Sequence, residues 1–532
     1  MTASSRLDLR DRAKCFGALE ARRFDVVVIG GGVTGAGIAR DAALRGLSVA
    51  LVEAQDFASG TSSRSSKMIH GGLRYLAQGH VKLVREAASE RQVLRRIAPH
   101  LAQPQRYLIP AKSARSLAAM RAGLWLYEKL GNVPRDERHE VLDLVELGRR
   151  EPAMRTDGLR GAAEYTEFLT DDARLVLANA RSAQAAGATL ASYAEADGLL
   201  LEGGRVAGVT VRSTLPGDER QARVLARLVV SAAGVWVDHV RALEAGQRDS
   251  RLTLSRGIHV VVARDRLPVR YTVVLPTRDG RMAFAVPHGR FTYVGTTDVF
   301  HDRADYWPAF ERADVDYLLD AVQARLVAPP VADADIVALW SGIRPLVSEP
   351  GKKPGEVSRK DEIWTSPAGL VSIAGGKLSA YRAMAEHVVD LCVRRLGDAS
   401  RPCTTATEPL VGGERVLDGG EVRRLCADAD AARRLASLYG DEAPGISAGG
   451  GDVAAEARHA VLSEGALTLE DYWVRRSARA WFDDRAGLDS LEPAAQAMAP
   501  LLGWNDAETA RQVAACRALE RDSRRPLQKT GS

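Results

Sequence analysis

The chain has 532 residues, of which 46% are hydrophobic and 27% are charged, a balance typical of globular proteins. This composition excludes wholesale disorder and a fibrous chain, and the length predicts about three domains at roughly 150 residues each. The net charge of +5 is compatible with an anionic substrate, an anionic membrane surface or nucleic acid, and it does not decide among them.

Cysteine and histidine usage argues against structural metals and disulfide bonds. The five cysteines are odd in number and contain no C-x-x-C pair, so we predict neither a disulfide framework nor Cys-ligated zinc. That usage fits a reducing compartment. The ten histidines show no metal-binding spacing such as H-E-x-x-H, so we predict no bound metal. The N-terminus lacks the apolar core of a secretory signal, and no apolar run approaches ~20 residues, so we expect no transmembrane helix.

The first organised unit along the chain has a βαβ pattern. Residues 24–29, FDVVVI, form a continuous apolar run that predicts a strand buried on both faces. A glycine-rich segment at 30–37 opens a helical pattern that stops at Gly46. Residues 47–53 predict a second buried strand, which ends in an acid.

Within this unit, Gly30, Gly32 and Gly35 form the pattern G-x-G-x-x-G. The first glycine permits a tight turn, the second lets backbone approach a pyrophosphate, and the third lets the helix pack close to the strand. The helix N-terminus offers N–H groups and a partial positive charge to phosphates. Glu53 is placed to accept hydrogen bonds from a ribose and disfavours a 2′-phosphate, so the pattern predicts FAD or NAD rather than NADP. The alternative is a glycine-rich structural turn.

The rest of the chain divides into three kinds of pattern. Helical spacing predicts helices at 80–97, 113–131 and 171–187, and apolar runs predict strands at 205–213 and 226–234. Short alternating runs over 257–298 predict an antiparallel sheet. Residues 420–520 are rich in helix formers and predict a helical C-terminal domain.

Two later segments favour FAD over NAD. VVSAAGVWVD at 229–238 predicts a strand that ends in small residues, where backbone passes close to a flat ligand. LVSIAGGKLSAYRAMAEH at 370–387 predicts a strand, a Gly-Gly turn and the start of a helix, which places a second helix N-terminus near a ring system or phosphate. A nucleotide domain assembled from distant parts of the chain encloses its cofactor, which favours a tightly held flavin.

The segment 30–76 closely resembles the FAD-dependent glycerol-3-phosphate dehydrogenases, above all through SSKMIHGGLRYL at 65–76. Further motifs follow in the order of that family and extend the resemblance over roughly 24–410: DDARLVLANA at 171, GIHVVV at 257, VGTTDV at 294, SGIRPL at 341 and GGKLSAYR at 375. One departure is Ala380, where the family usually has a second threonine.

The resemblance implies an α/β fold: a FAD-binding Rossmann-like domain, an antiparallel-sheet substrate domain and an α-helical C-terminal domain. We expect the oxidoreductase region to span 24–404. Its discontinuous FAD-binding domain covers about 24–110, 165–240 and 350–400, and the substrate or cap domain covers 111–164 and 241–349. Residues 405–532 form the helical domain. Residues 1–23 are treated as an N-terminal extension that precedes the fold, with disorder left open.

The implied reaction is oxidation of sn-glycerol 3-phosphate at C2 to dihydroxyacetone phosphate, with hydride transfer to flavin and electrons passed to a membrane quinone. A dianionic phosphate needs several fixed cations, and arginine suits it. By resemblance, Arg74, Arg344 and Lys377 bind phosphate and substrate, with Tyr75 nearby. Arg344 and Lys377 are also expected to act in catalysis. The alternative for each cation is a surface salt bridge.

Oxidation of a secondary alcohol also needs a base for the hydroxyl proton, and histidine is the usual choice near neutral pH. His259, at the head of the predicted antiparallel sheet, is the candidate base, and the alternative is a packed histidine. The remaining cofactor contacts expected beside the glycine turn and Glu53 are Thr61, Ser62, Ser63, Ser66, His70, Gly71, Gly234, Gly376, Lys377 and Leu378. For the four hydroxyl residues the alternative is turn formation.

A quinone acceptor implies contact with the inner face of the cell membrane by a protein that is otherwise cytoplasmic. Residues 106–129 combine basic residues with Trp and Tyr, which suits an interfacial segment, and an ordinary packed helix is the alternative. A homodimer is left open. Competing functions are a glycerol-3-phosphate oxidase that uses oxygen and a flavoprotein for another small anionic substrate. An RNA-binding flavoprotein is disfavoured by the 5% aromatic content and the interleaved acids.

Overall fold

The computed structural model describes residues 5–70, 81–244, 246, 249–348, 361–397 and 401–528. Within these ranges the strands are β1 (Phe24–Ile29), β2 (Val49–Val52), β3 (Met68–Ile69), β4 (Gln103–Ala111), β5 (Glu140–Leu142), β6 (Gly161–Leu169), β7 (Thr189–Ala191), β8 (Ala194–Glu202), β9 (Arg205–Ser213), β10 (Gln221–Ser231), β11 (Leu252–Ala263), β12 (Thr272–Pro276), β13 (Met282–His288), β14 (Phe291–Gly295), β15 (Val299–His301), β16 (Ile336–Val347), β17 (Asp361–Thr365) and β18 (Val371–Gly375).

The α-helices in the same ranges span Arg12–Glu20, Val33–Leu44, Val81–Ile97, Ala114–Gly131, Leu144–Arg150, Asp172–Ala185, Val237–Arg241, Arg312–Arg325, Tyr381–Leu396, Gly419–Arg423, Ala429–Tyr439, Ala443–Ala448, Val453–Glu464, Arg479–Phe482, Leu491–Leu502 and Asp506–Ser523. A π-helical segment, Asp471–Arg476, lies among the C-terminal helices. The helices predicted at 80–97, 113–131 and 171–187 are therefore confirmed to within a few residues.

The first sheet has the strand order β17-β18-β10-β1-β2-β7, and β9 and β8 extend it from β10. Strand β1 pairs in parallel with both β2 and β10, as a βαβ unit requires. Alternate residues of β1 face opposite layers: Val26 and Val28 pack against the helices, and Val27 faces the β8–β9 side. The β-branched run at 24–29 forms a central strand because both of its faces are covered.

The second sheet is largely antiparallel, with the order β15-β11-β14-β13-β12-β4-β6-β3, and β16 and β5 pair with β11 and β6. Its alternating pattern sends Val260 and Val262 toward one core, which also contains the helix Arg312–Arg325. Val261 faces the opposite core, which is closed by the C-terminal helices. The antiparallel sheet expected over 257–298 and the three-part α/β fold class are confirmed.

The N-terminal segment differs from the expectation that residues 1–23 precede the fold. Within residues 5–23, Leu7 pairs with Glu464 of the C-terminal domain, and Phe16 and Leu19 of the first helix are buried. The Arg12 guanidinium donates to the carbonyl oxygens of residues 192 and 193 at 2.9 and 2.8 Å. The segment's apolar residues are too sparse to form a recognisable pattern, and they become buried only through contacts with distant parts of the chain.

The domain boundaries also differ from those expected. Strand β4 lies in the antiparallel sheet, although 24–110 were expected in the cofactor domain. It pairs along its whole length with β6, which in turn pairs with β3. The chain therefore crosses between the two sheets near residue 67 and again near residue 170. The loop at 61–70 lies at the first of these crossings, next to the cleft described below.

Candidate cofactor cleft and substrate site

The glycine turn at 30–35 has the geometry that its sequence predicts. Gly30 has φ +109°, and a Cβ there would lie 2.6 Å from the carbonyl oxygen of Ala232. A Cβ on Gly35 would lie 1.9 Å from the carbonyl oxygen of Gly30, so only glycine allows the helix to pack on the turn. Gly32 caps the helix Val33–Leu44 without a side chain, which leaves its start accessible.

Glu53 closes the turn from the end of β2. Its carboxylate accepts hydrogen bonds from the backbone N–H of Gly31 at 2.6 Å and of Gln55 at 2.9 Å. Burial raises the pKa of Glu53, and these two N–H donors counteract that rise. The carboxylate is thus held beside the glycine turn, where its remaining acceptor capacity can meet a ribose hydroxyl.

A cleft of about 950 Å³ opens in front of this turn. The cleft is lined by four segments of the chain and by single residues from three further positions. The lining residues are Gly30, Gly32, Val33, Thr34, Glu53, Ser59, Gly60, Thr61, Ser62, Ser65, Ala232, Ala233, Gly234, Val235, Trp236, Pro345, Ile373, Ala374, Gly375, Gly376, Lys377, Leu378 and Met384. The cleft runs along the carboxyl ends of β1, β10 and β18, where ligands bind in open α/β sheets.

The residues of the cleft fit a flavin dinucleotide. The helix N-terminus at Val33 and the Gly375–Gly376 turn bring two groups of backbone N–H donors to its wall. Gly376 has φ +83°, and a Cβ there would collide with the Met384 side chain at 2.4 Å. The Ser62 hydroxyl accepts a hydrogen bond from the Val33 N–H at 3.0 Å, which fixes the 59–65 loop against the helix.

His259 lies on β11 and is 1% exposed, so it does not line the cleft directly. Its Nε2 lies 2.9 Å from the Ser66 hydroxyl oxygen, and its ring stacks on Trp340 with centroids 4.6 Å apart. Burial lowers the pKa of His259 well below its usual value, and the charges of Arg344 and Lys67 lower it further. The imidazole is therefore neutral near pH 7, as a general base must be, and the lowered pKa also makes it a weaker base than a free imidazole.

Arg344 lies on the same face of the sheet as His259, because it is four residues beyond Trp340 on β16. Its guanidinium donates to the Thr296 hydroxyl at 2.9 Å and lies 3.3 Å from the Asp298 carboxylate. The side chain is 20% exposed, and the next residue, Pro345, lines the cleft. Arg344 is thus a positioned cation at the edge of the cleft.

A buried ion pair fixes the loop between the two sheets. Lys67 Nζ lies 2.5 Å from the Asp172 carboxylate, and the same carboxylate accepts from the Ser65 N–H at 3.0 Å. Burial alone would lower the pKa of Lys67, but the attraction of the Asp172 carboxylate is stronger than this effect of burial, so the pKa of Lys67 is raised. Lys67 adopts φ +53°, a conformation that costs a non-glycine residue about 1–3 kcal/mol. The ion pair therefore holds the loop in a strained shape.

The structure brings most of the predicted cofactor residues to the cleft. Its lining includes Gly30, Gly32, Glu53, Thr61, Ser62, Gly234, Gly376, Lys377 and Leu378. Gly35 packs behind the turn, Ser63 is buried, and Ser66 contacts His259 instead of the cleft. His70 is half-buried at the end of β3. Gly71, Arg74 and Tyr75 lie outside the described residues, and their roles stay predictions.

Sequence reasoning did not single out several residues that shape the site. Trp236 lines the cleft, and Asp172 holds Lys67. Trp340 and Tyr293 surround the His259 ring. Trp236 and Asp172 lie inside the motif segments at 229–238 and 171–180, so the sequence motifs could have pointed to both residues. Trp340 carried none, because its role depends on its pairing with His259 across the sheet.

The glycine turn, the buried acid at the end of β2 and the two-sheet cleft define a flavin-dependent oxidoreductase. In agreement, the family described as FAD-dependent oxidoreductase matches residues 25–382, and the C-terminal domain of α-glycerophosphate oxidase matches 403–509. An aerobic glycerol-3-phosphate dehydrogenase from Staphylococcus haemolyticus is 37% identical over 521 residues, covering 92% of this chain and 93% of that protein. The chain belongs to the family of FAD-dependent glycerol-3-phosphate dehydrogenases.

Further relatives agree with this assignment. The aerobic glycerol-3-phosphate dehydrogenase of Staphylococcus aureus is 38% identical over 514 residues, covering 91% of this chain and 92% of that protein. The structure of glycerol-3-phosphate dehydrogenase from Bacillus halodurans, complexed with FAD, is 32% identical with a TM-score of 0.80, covering 98% of this chain and 100% of that one. L-α-glycerophosphate oxidase from Mycoplasma pneumoniae shares the fold, with a TM-score of 0.56 at 17% identity, over 73% of this chain and 99% of that one. FAD is accordingly the cofactor of this enzyme.

Proposed function

We propose that this enzyme oxidises sn-glycerol 3-phosphate at C2 to dihydroxyacetone phosphate and passes the electrons to a membrane quinone. The substrate assignment draws on the named activity of the relatives, which cover more than nine-tenths of the chain. The observation that carries it is the placement of a neutral histidine and a positioned arginine on one face of the sheet that adjoins the cofactor cleft.

Each side chain has a defined task in this proposal. Arg344, at the cleft edge, and Lys377, in the cleft wall, are the cations for the substrate phosphate, together with Arg74 and Tyr75. His259 takes the proton of the C2 hydroxyl, because burial keeps its imidazole neutral. Its hydrogen bond to Ser66 connects it to the loop that lines the cleft. The charges of Arg344 and Lys67 near the imidazole also favour an alkoxide-like oxygen in the transition state.

The cofactor is held by the backbone at the start of the helix Val33–Leu44, by the short 3-10 turn Leu378–Ala380 and by the Glu53 carboxylate. When bound, FAD supplies the acceptor for the C2 hydride. The small residues at 232–234 let backbone approach a planar ring system closely. Trp236 and Ile373 contribute apolar surface that keeps water out of this part of the cleft.

An anaerobic titration tests the substrate. We expect the visible flavin bands to bleach on addition of sn-glycerol 3-phosphate, and not with glycerol or with the opposite enantiomer. H259N should slow bleaching by about 10²–10⁴-fold, the usual contribution of a general base. A protein that stays yellow with this substrate would refute the substrate, and a loss below about threefold in H259N would refute the base.

A membrane quinone can be reduced only by a protein that contacts the membrane, and a surface on the sheet domain supports such contact. The helix Ala114–Gly131 exposes Trp125 by 56% and Leu126 by 37%, and the exposed basic residues Arg121 and Lys129 lie one turn to either side of Trp125. Val145, on the next α-helix along the chain, is 82% exposed. No helix of the described residues is long and apolar enough to cross a membrane. An exposed Trp among basic residues suits a helix that lies on an anionic lipid surface, so we propose peripheral membrane binding through this face.

Flotation with vesicles that contain anionic lipid tests this face. We expect wild-type protein to float and the double variant W125D/L126D to stay in the soluble fraction. V416D, at an exposed valine of the C-terminal region, is the matched control and should still float. A quinone analogue, rather than oxygen, should restore the colour of the bleached protein. Wild type that never floats, or that re-oxidises only with oxygen, would favour an oxidase.

A further inference from the structure

The C-terminal domain reaches the back of the candidate catalytic histidine. The helix Arg479–Phe482 places Trp481 and Phe482 against Trp340, with ring centroids 5.6 and 5.8 Å apart. Trp340 is the residue on which the His259 ring stacks, at 4.6 Å and an interplanar angle of 13°. All three of these supporting rings are buried, with exposures of 1 to 8%.

The same short helix also supports the hydrogen-bonding partner of His259. Phe482 packs against Tyr293 at 5.8 Å, and the Tyr293 hydroxyl donates to the Ser66 backbone oxygen at 2.8 Å. The Ser66 hydroxyl in turn meets His259 Nε2 at 2.9 Å. Trp481 and Phe482 therefore pack against Trp340, on which the imidazole stacks, and Phe482 also packs against Tyr293, which holds the Ser66 backbone.

The helix that carries this pair is itself firmly held. Arg479 Nη2 lies 2.7 Å from the fully buried Glu456 carboxylate, and its Nη1 lies 2.5 Å from Asp483. Arg434 binds the other oxygen of Glu456 at 2.9 Å. Charge-assisted hydrogen bonds of this kind fix direction as well as distance. Trp481 and Phe482 thus form a rigid contact and not a loosely docked surface.

We propose that Trp481 and Phe482 are positioning residues for catalysis, through which the C-terminal domain sets the orientation of the His259 ring. The inference rests on the proposed function, because it assigns His259 as the base. It gives the C-terminal helices a role in the reaction beyond stability. Neither residue contacts the cleft, so their effect passes through Trp340 and Tyr293.

The expected signature is a change in turnover and in pH dependence, with substrate binding unaffected. W481L replaces none of the cations proposed for the substrate phosphate, so KM for sn-glycerol 3-phosphate should stay within about twofold, while kcat falls at least tenfold. A loosened ring admits water, and weaker desolvation lets the pKa of His259 rise toward its usual value. The charged groups that act on the imidazole, Lys67 and Arg344, stay in place, and so does the titratable His288, whose ring stacks on Phe482 with centroids 3.9 Å apart. The acid limb of kcat/KM should therefore move to higher pH.

Matched variants separate positioning from stability. L435A removes a buried side chain in a different core of the C-terminal domain, so it should lower stability and leave kcat and the acid limb unchanged. W481F keeps an aromatic ring and should recover kcat to within about threefold. If W481L does not fold, F482L tests the contact between Phe482 and Tyr293 instead.

Three results would overturn the inference: folded W481L or F482L with wild-type kcat and pH profile, equal losses in L435A, or no recovery in W481F. If wild-type protein fails to bleach with sn-glycerol 3-phosphate, the proposed function itself fails. If wild type bleaches and the variants behave like it, the positioning role alone fails.

Discussion

The two walls of the cleft are built in opposite ways. The nucleotide wall centres on one βαβ segment, in which a Cβ on Gly35 would strike the Gly30 carbonyl oxygen and the Glu53 carboxylate accepts from the Gly31 N–H, all within 25 positions. The sheet wall joins His259 to Ser66 across 193 positions and Lys67 to Asp172 across 105. Local steric demands therefore define the first wall, and side-chain contacts between distant segments define the second.

The walls also differ in how they use charge. At the nucleotide wall, Glu53 is held by backbone N–H donors, so the peptide geometry that forms the turn also stabilises the carboxylate. At the sheet wall, Lys67 and Asp172 are buried together and depend on each other. A buried charge that loses its partner is costly, whereas a carboxylate on backbone donors keeps its partners under most substitutions. The sheet wall should therefore be more sensitive to the loss of a single side chain.

The largest expected effect tests the steric origin of the nucleotide wall. G35A places a Cβ 1.9 Å from the Gly30 carbonyl oxygen, where backbone cannot move aside. We expect the free energy of unfolding to fall by about 3 kcal/mol or more, and FAD content to be lost. Urea unfolding and the visible spectrum of the purified protein measure both.

The control for that substitution is G17A, in the first helix, where a Cβ would have nothing within 4 Å. It should leave FAD content unchanged and stabilise the helix by up to about 1 kcal/mol. If G35A kept its FAD and its stability, the glycine at this position would not be a steric requirement, and the contrast between the walls would be lost.

An effect of comparable size tests the electrostatic origin of the sheet wall. K67M leaves the Asp172 carboxylate buried without its cation, so we expect a loss of about 3–5 kcal/mol in unfolding free energy if the pair behaves like other buried ion pairs. The double variant K67M/D172N removes the uncompensated charge and should recover part of the loss. A double-mutant cycle from urea unfolding curves measures the coupling between the two side chains.

The comparison pair for K67M is Arg149 and Glu146, which are bonded at 2.7 Å on the surface. R149M should leave the unfolding free energy almost unchanged, because exposed pairs are screened by solvent. Equal losses in K67M and R149M would mean that burial adds nothing to the Lys67–Asp172 pair, and that the loop shape at 61–70 has another origin.

Much of the fold follows from patterns that are short in sequence. The apolar run at 24–29, the glycine spacing and Glu53 predict a parallel βαβ unit, and β1 and β2 confirm it. The alternating runs at 257–298 predict the antiparallel strands for the same reason, since side-chain alternation over five to ten residues is a local property. Residues 5–23 pack into the fold instead of preceding it, and no local pattern predicts this because their burial depends on contacts with residues 192, 193 and 464.

By itself, the sequence determined the class of cofactor, the glycine turn, the first βαβ unit and the antiparallel strands over 257–298, because each depends on residues that are close along the chain. Only the tertiary structure decided that His259 stacks on Trp340, that Asp172 holds Lys67, and that Trp481 and Phe482 reach the catalytic side of the sheet. These contacts depend on strand register and on how the C-terminal helices pack. Sheet register and helix packing bring together side chains that no local pattern relates.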